Sequence, residues 1–230
     1  MTMAISAQSD AADVRRIAEL YEKGEYKNAL ALIRPLAERG DPHGQYLLAV
    51  CYDEGKAVKQ DPVEARRWFL RAAEQGHIAA QYSLGIMYRG GQGGSKSDVE
   101  AVKWWSKAAE KGYPPAQYNL SVMYNLGAGV PKDPATSVKW LRLAANQTVP
   151  EALFDLGLRT LRGDGVTQDG VEAYKLFYLS SVQGHEKAKE LLDTLSARLT
   201  SAQKAEAERR IRAYTESLER LKTARPPGIH

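Results

Sequence analysis

The sequence predicts an all-α protein, a right-handed α/α superhelix (solenoid) of about five helix-turn-helix repeats with a C-terminal capping helix. The first observation is a set of residue types that recur every 36 positions, as is typical of repeat solenoids. The second is that apolar residues within each interval lie three or four positions apart, the spacing of one helix face. The recurring residues are Gln45, Gln81 and Gln117; Tyr52, Tyr88 and Tyr124; Trp68, Trp104 and Trp140; and Ala80, Ala116, Ala152 and Ala188.

Composition and charge narrow the class of partner. A hydrophobic fraction of 43% and a charged fraction of 26% are ordinary for a globular chain. The net charge of +4 is small, and the basic residues are interspersed with acidic ones, so we expect no nucleic-acid partner. No apolar run reaches the roughly 18 residues that a membrane span needs, so we expect no membrane insertion.

The single cysteine, Cys51, excludes an intramolecular disulfide. Its equivalents one and two intervals later are Met87 and Met123, which predicts an apolar helix position rather than a reactive thiol. The first eight residues lack the charged and apolar regions of a signal peptide, so a cytoplasmic location is expected for the chain as written. The alternative is a periplasmic location, in which Ala-Ile-Ser-Ala ends a signal peptide whose beginning is missing.

The elements are predicted in the following order along the chain. Residues 1–10 are small and polar and are expected to be disordered. Residues 11–42 predict a degenerate hairpin, because an end repeat has a neighbour on one side only. Four repeats of 36 residues follow at 43–188. Residues 189–222 predict an incomplete fifth unit and a capping helix, and 223–230 a disordered tail.

The first helix of each repeat carries a recurring apolar stripe, such as Ala80, Leu84 and Tyr88. Gly85 lies beside this stripe although glycine inside a helix costs about 1 kcal/mol relative to alanine. Its absent side chain predicts a close approach of the partner helix's backbone. Gly157 occupies the same position two intervals later.

The second helix of each repeat has start and stop signals. Asp61-Pro62-Val63-Glu64 supplies an N-cap, a proline at the first helical position and a glutamate for a capping box. Asp133 repeats the signal, and Asp98 and Asp169 offer weaker versions. The stop is a glycine placed for a left-handed cap, at Gly76, Gly112 and Gly184. Thr148 replaces this glycine once, so that turn is expected to differ locally.

Two further apolar sets follow the last repeat with helical spacing. They are Leu191, Leu192, Leu195 and Leu199; and Ile211, Tyr214, Leu218 and Leu221. The second set predicts either a helix that caps the open end of the array or a seam that docks a second chain.

The repeat is specific enough to suggest a family. At Leu84-Gly85-x-x-Tyr88, Gly91-x-Gly93, Ala101-x-x-Trp104-x-x-x-Ala108-Ala109 and Gly112-x-x-x-Ala116, the chain resembles the Sel-one-like repeat family, a relative of the tetratricopeptide repeat. The resemblance implies an α/α solenoid and an adaptor that holds protein complexes together or recognises partner proteins. Many bacterial members are exported, and some of those have disulfide-linked repeats, a pattern from which a single cysteine departs.

A partner-binding surface is predicted on the first helices, which line the concave face of a stacked hairpin solenoid. Tyr82, Ile86 and Arg89 lie at i, i+4 and i+7, opposite the apolar stripe. The surface comprises an aromatic column and a polar rim: Tyr46, Tyr82, Tyr118 and Phe154; and Asp53, Arg89 and Asn125. The alternative for the aromatic column is packing between successive first helices, away from any ligand.

No cofactor, metal site or catalytic group is predicted. The loop from Gly90 to Ser97 resembles a phosphate loop, but it joins two helices, whereas a phosphate loop follows a strand. His77 and His185 occupy equivalent positions and are interpreted as turn residues, and His43 lacks metal-ligand spacing. We therefore expect a non-enzymatic adaptor or scaffold for a protein or peptide partner. The alternatives are a homo-oligomeric scaffold, such as a homodimer through the C-terminal helix, and a periplasmic enzyme acting on cell-wall or lactam substrates.

Overall fold

The computed structural model describes residues 2–224, with side-chain environments for residues 12–220. All regular secondary structure in that part of the chain is α-helix. The helices are α1 (Thr2–Glu22), α2 (Tyr26–Glu38), α3 (Pro42–Glu54), α4 (Pro62–Glu74), α5 (Ile78–Gly90), α6 (Asp98–Glu110), α7 (Pro114–Leu126), α8 (Pro134–Asn146), α9 (Pro150–Arg162), α10 (Gly170–Ser181), α11 (Glu186–Ser196) and α12 (Ser201–Ala224).

The chain divides into two compact units. The first comprises residues 1–116 with 127–131, and the second comprises residues 117–126 with 132–230. Within the first unit, α3 packs on α4 and α5 packs on α6; within the second, α9 packs on α10. Each unit has its own apolar core.

The core of the first unit includes two clusters. One joins α1, α2 and α3 and contains Cys51, which is buried as the apolar position that the repeat predicts. The other joins α3 to α6 around Phe69 and Trp104. Trp68 is half-buried and packs against both clusters.

The core of the second unit also includes two clusters. One contains Leu141, Leu153 and Leu176 and is covered in part by Tyr214 of α12. The other contains Phe177 and Leu195, so it ties α10 to α11. The C-terminal helices are thus packed against the last repeat of their own chain.

An aromatic ring, rather than a helix backbone, fills the space beside the helix glycines. A Cβ added at Gly85 would overlap the Trp105 ring, and a Cβ added at Gly157 would lie 2.7 Å from Cε1 of Phe177. The indole Nε1 of Trp105 donates a hydrogen bond to the carbonyl oxygen of Tyr82, 3.1 Å away, which holds the ring over the glycine. The group that approaches each glycine is therefore an aromatic ring, and the prediction that it is the backbone of the partner helix is wrong.

The N-caps of the second helices are confirmed at three of four positions. The carboxylate of Asp61 accepts hydrogen bonds from the backbone of residues 63 and 64, and Asp133 and Asp169 do the same for their helices. Asp98 is instead the first residue of α6, and Ser97 caps the helix through its hydroxyl, which accepts from Glu100 N at 3.2 Å. The cap prediction at Asp98 is wrong, because the serine before it already supplies a short acceptor in the extended conformation that a cap needs.

The capping box predicted at α4 does not form. Glu64 pairs with Arg67 at 3.3 Å instead of bonding back to the N-cap. The backbone N–H of Asp61 donates to the carbonyl oxygen of Tyr52, 2.9 Å away, across the inter-helix loop. The donor that a capping box would satisfy is therefore already satisfied by the preceding helix.

The turn at Thr148 keeps the hydrogen bond of its glycine equivalents. Its N–H donates to the carbonyl oxygen of Ala145, as the N–H of Gly76 does to Ala73. Thr148 has φ +61°, in the left-handed region but below the +89° of Gly76 and the +85° of Gly112. The local difference is therefore one of backbone angle, and the turn places a β-branched residue in a conformation that such residues rarely adopt.

The N-terminal helix is longer than predicted. α1 begins at Thr2 and so includes most of the segment 1–10 that was expected to be disordered. Alanine is frequent in this segment, and the first glycine or proline of the chain is Gly24, so nothing in the sequence interrupts a helix. The predicted tail at 223–230 lies outside the described residues, except for the last two residues of α12.

Candidate partner-binding surface

The aromatic side chains of the first helices are all half-buried, and each packs on its own unit. In the first unit, the ring of Tyr46 stacks on His77 with 4.6 Å between centroids and contacts Phe69 at 5.7 Å. Tyr82 contacts Tyr113 with 5.1 Å between centroids, but the two ring planes are tilted by 56° rather than stacked. Each ring therefore contacts the residue that precedes the next first helix, which agrees in part with the packing alternative.

The second unit repeats this arrangement with different chemistry. The ring of Phe154 stacks on His185 at 4.4 Å. The hydroxyl of Tyr118 donates a hydrogen bond of 3.1 Å to the carboxylate of Asp155. Burial raises the pKa of Tyr118, and the negative charge of Asp155 raises it further. Burial also raises the pKa of Asp155, although the hydrogen bond from the tyrosine opposes this.

His77 and His185 have a structural role that sequence reasoning missed. Nδ1 of His77 accepts a hydrogen bond from the backbone N of Ala80 at 3.3 Å, and His185 caps α11 in the same way. They are therefore N-caps as well as turn residues. Asp41 performs this role for α3, and its position one interval before His77 is the signal that could have revealed it.

A histidine pair lies beside Tyr46. Nδ1 of His43 and Nε2 of His77 are 3.5 Å apart, within hydrogen-bond distance. Burial lowers the pKa of His77, and the nearby His43 lowers it further, while Asp41 opposes the change. The neutral form of His77 is thus favoured, as its role as a hydrogen-bond acceptor at the helix start requires.

The three predicted rim residues are half-buried rather than fully exposed. Burial raises the pKa of Asp53, and the charge of Glu54 adds to the effect. Asn125 accepts a hydrogen bond of 2.7 Å from the guanidinium of Arg159, which was not among the predicted site residues. Arg159 occupies the repeat position of Cys51, which is otherwise apolar. A charged residue at this position was the sequence signal that could have identified Arg159 as a site residue.

Ile86 is the predicted surface residue most open to solvent. Its side chain is 42% exposed, and it is a large apolar residue one helical turn from both Tyr82 and Arg89. Its equivalents Val50, Val122 and Leu158 are half-buried. The first unit thus presents an apolar group between an aromatic and a cationic side chain on one helix face.

The C-terminal helix packs on its own chain, and its residue Ala207 is fully buried. Arg210 forms ion pairs with Asp169 at 2.7 Å and with Glu172 at 3.3 Å, both at the start of α10. Tyr214 packs on the core, and burial raises its pKa. Ile211 and Leu218 are half-buried, and the side chain of Leu221 lies outside the described residues.

A metal site needs clustered ligating side chains, and a membrane span needs a long apolar helix. Among them, no group of three or more histidine, cysteine, aspartate or glutamate side chains could hold a metal ion. Within residues 2–224, every helix is too short or too polar to span a lipid bilayer.

The helices and the 36-residue interval define an all-α repeat solenoid, which confirms the predicted fold class. The sequence model of the Sel1 repeat matches residues 42–77, 78–113, 114–149 and 150–185, and each match contains one helical hairpin. Because these matches cover more than half of the chain, the protein belongs to the Sel1 repeat family, as its motifs predict. No curated protein matches the chain.

Solved structures that are similar to this chain include two with 33% sequence identity. A Sel1 repeat protein from Oxalobacter formigenes is 33% identical with a TM-score of 0.71, over 77% of this chain and 73% of that one. The Escherichia coli protein c5321, a protective antigen of uropathogenic strains with an SLR fold, is 33% identical with a TM-score of 0.75. That alignment covers 88% of this chain but 44% of c5321, so this chain spans less than half of that protein. Sel1 repeat proteins are generally protein-interaction scaffolds and generally non-catalytic.

Proposed function

We propose that the protein is a non-enzymatic adaptor that binds a peptide or protein partner on the predicted concave face of its first helices. The observation that carries the proposal is the exposed side chain of Ile86, set between Tyr82 and Arg89 on one helix face. Aromatic residues and arginine are enriched in protein interfaces, and an apolar group between them adds area that a partner can bury.

The half-burial of the aromatic column is compatible with this role. A ring already held by a neighbour, as Tyr82 is by Tyr113, loses little conformational entropy when a partner covers its remaining surface. The equivalent residues of the second unit, Tyr118, Phe154 and Asn125, are included in the proposal. An interface of this modest kind suits micromolar affinity, about −8 kcal/mol.

The test is affinity capture with a charged residue placed at the exposed apolar position. Ile86→Asp should weaken partner capture at least tenfold, because it buries a carboxylate in the interface. Val99→Asp is the matched control, since Val99 is 62% exposed on the second helix of the same repeat. A partner captured equally by the wild type and by both variants would exclude this face of α5.

A homodimer through α12 is the second candidate, and it has less support. Arg210, which directly precedes the predicted seam, and Tyr214, which belongs to it, contact α10 of their own chain. A second chain would therefore have to use the remaining side chains of α12.

A further inference from the structure

The second unit contains a cavity of about 360 Å³ between α8, α9, α10 and α12. Its floor is apolar and includes Leu153, Leu156 and Leu176, and Tyr214 forms part of its wall. The cavity is separate from the proposed partner surface on the first helices, and the inference below does not rest on that proposal.

The cavity lies where this repeat has a smaller residue than an earlier repeat has. In the first unit, Trp104 is part of the apolar cluster, with Leu70 packed against it. Seventy-two positions later these two residues are replaced by Leu176 and Arg142, which both line the cavity, while the small alanines of the two clusters remain in register. An indole and an isobutyl group are thus exchanged for a leucine side chain and an arginine at the rim.

The polar groups at the cavity favour an anion beside the missing ring. Arg142 lines the cavity, is exposed, and forms no ion pair within residues 12–220. The other lining charges are already paired, since Lys175 bonds to Glu172 at 2.6 Å and Asp169 bonds to Arg210. One guanidinium is therefore available, and guanidinium groups bind carboxylates in a bidentate geometry.

Tyr214 also lacks a partner at this site. Its hydroxyl oxygen is buried, and no hydrogen-bond partner for it is present in the described part of the chain. A buried polar atom without a partner is rare in folded proteins. The oxygen is enclosed by the protein rather than open to the cavity, so a bound molecule would contact the ring of Tyr214 and not its hydroxyl.

We propose that this cavity binds an indole or similar aromatic ring that carries a carboxylate, with the ring in the space left by Trp104's counterpart and the carboxylate on Arg142. The same chemistry is offered by a free aromatic acid and by a peptide that ends in an aromatic residue. The cavity volume lies within the range of small-ligand sites, which begins at about 300 Å³.

The test is a titration of the full-length, ¹⁵N-labelled protein with N-acetyl-L-tryptophan, followed by NMR. We expect a dissociation constant of about 0.1–1 mM, the range for a ligand of this size. The backbone signals of Arg142 and Tyr214 should shift. N-acetyl-L-tryptophanamide, which lacks the carboxylate, should bind about tenfold more weakly, and so should the acid to Arg142→Gln. The absence of binding by the wild type at 10 mM, about ten times the weakest expected constant, would overturn the proposal.

Leu176→Trp provides the decisive variant, because it restores the residue that the earlier repeats have at this position. It should abolish binding while leaving the thermal unfolding midpoint equal or higher. Leu143→Trp, which adds an indole on the same α8 surface outside the cavity lining, is the control and should bind as the wild type does. Retained binding in Leu176→Trp would refute the assignment. If Leu176→Trp unfolds, Leu176→Phe takes its place. The assignment would then be refuted if neither Leu176→Phe nor Arg142→Gln changed the affinity for the ligand.

A tetrapeptide, Ala-Ala-Ala-Trp with a free carboxylate, distinguishes the two sources of the ligand. Tighter binding than N-acetyl-L-tryptophan would indicate that the site takes the C-terminus of a peptide. Weaker binding would indicate a free aromatic acid. Either result supports the site, provided that Leu176→Trp removes it.

Discussion

Gly85 accommodates the indole ring of Trp105, and this contact leaves no room for a side chain. Gly85→Ala should therefore destabilise the protein by about 1–3 kcal/mol, the usual cost of overpacking a filled core. Chemical denaturation followed by circular dichroism measures the effect. Gly90→Ala is the control, since Gly90 is exposed near the end of the same helix and has no contact closer than 3.5 Å. Equal losses of stability in the two variants would contradict the packing described.

Thr148 holds a left-handed backbone conformation that its equivalents reserve for glycine. The strain of this conformation for a residue with a Cβ is about 1–2 kcal/mol. Thr148→Gly should relieve it, and after the greater flexibility of the unfolded chain is subtracted, stability should rise by about 0.5–1 kcal/mol. Thermal unfolding measures the gain.

Thr167→Gly is the matched control for this prediction, because Thr167 is an exposed loop residue without a positive φ. Glycine should destabilise the protein there through the entropy of the unfolded chain alone. A loss of stability in Thr148→Gly of the same size would show that the turn carries no strain.

His77 should make stability depend on pH in the acidic range. Burial and His43 lower its pKa in the folded state, so the folded chain binds this proton less tightly than the unfolded chain does. Its contribution to stability is therefore complete above about pH 6.5, the ordinary value for histidine. It declines as the pH falls through that value toward the lowered pKa of the folded state.

Thermal unfolding of the wild type and of His77→Asn between pH 5 and pH 8 checks this. Asparagine keeps an N-cap acceptor but does not titrate. The midpoint of the wild type should therefore fall more steeply on acidification than that of the variant. Parallel pH profiles would show that His77 does not couple protonation to folding.

Residue types explain which local features could be predicted. Asp61 and Asp133 each precede a proline, and an aspartate followed by a proline is typical of a helix start. These two N-caps could therefore be predicted from the sequence. The ring over Gly85 did not follow, because glycine signals a close approach without identifying what approaches. The imidazole caps were missed because histidine is not a usual N-cap residue.

At the scale of elements, α12 is held to the last repeat by contacts on one side. Arg210 bridges to the start of α10, and Tyr214 lies on the apolar cluster. The spacing of Ile211 and Tyr214 predicted the helix and its apolar face. It did not identify the partner, because Arg210 and Asp169 are 41 residues apart and no local pattern joins them.

Removal of α12 tests its role as a cap. A chain that ends at Thr200 should unfold at a midpoint lower by about 5 °C or more, because it exposes the cluster under Tyr214. A chain that ends at Arg220 retains the described contacts and is the control. Light scattering during size exclusion measures the mass of each. A folded monomer of unchanged stability, derived from a dimeric full-length chain, would contradict the cap and support the docking seam.

At the scale of the whole molecule, repetition determined how much could be predicted. Motifs in phase at four successive intervals predict the fold class and the family, because each repeat must bury its apolar face against its neighbours. The surface that binds a partner could not be predicted from the repeat in the same way. An aromatic residue such as Tyr82 can pack on a neighbour and still present its remaining surface, and residue spacing does not distinguish these roles.

The measurement that most directly tests the proposed adaptor function is site-specific photo-crosslinking from α5. A benzoylphenylalanine placed at Ile86 should crosslink a partner protein in the native lysate, identified by mass spectrometry. The same group at Val99, which is more exposed than Ile86 but lies on α6, should not crosslink that partner. Crosslinking from Val99 but not from Ile86 would contradict the assignment of the partner surface to the first helices.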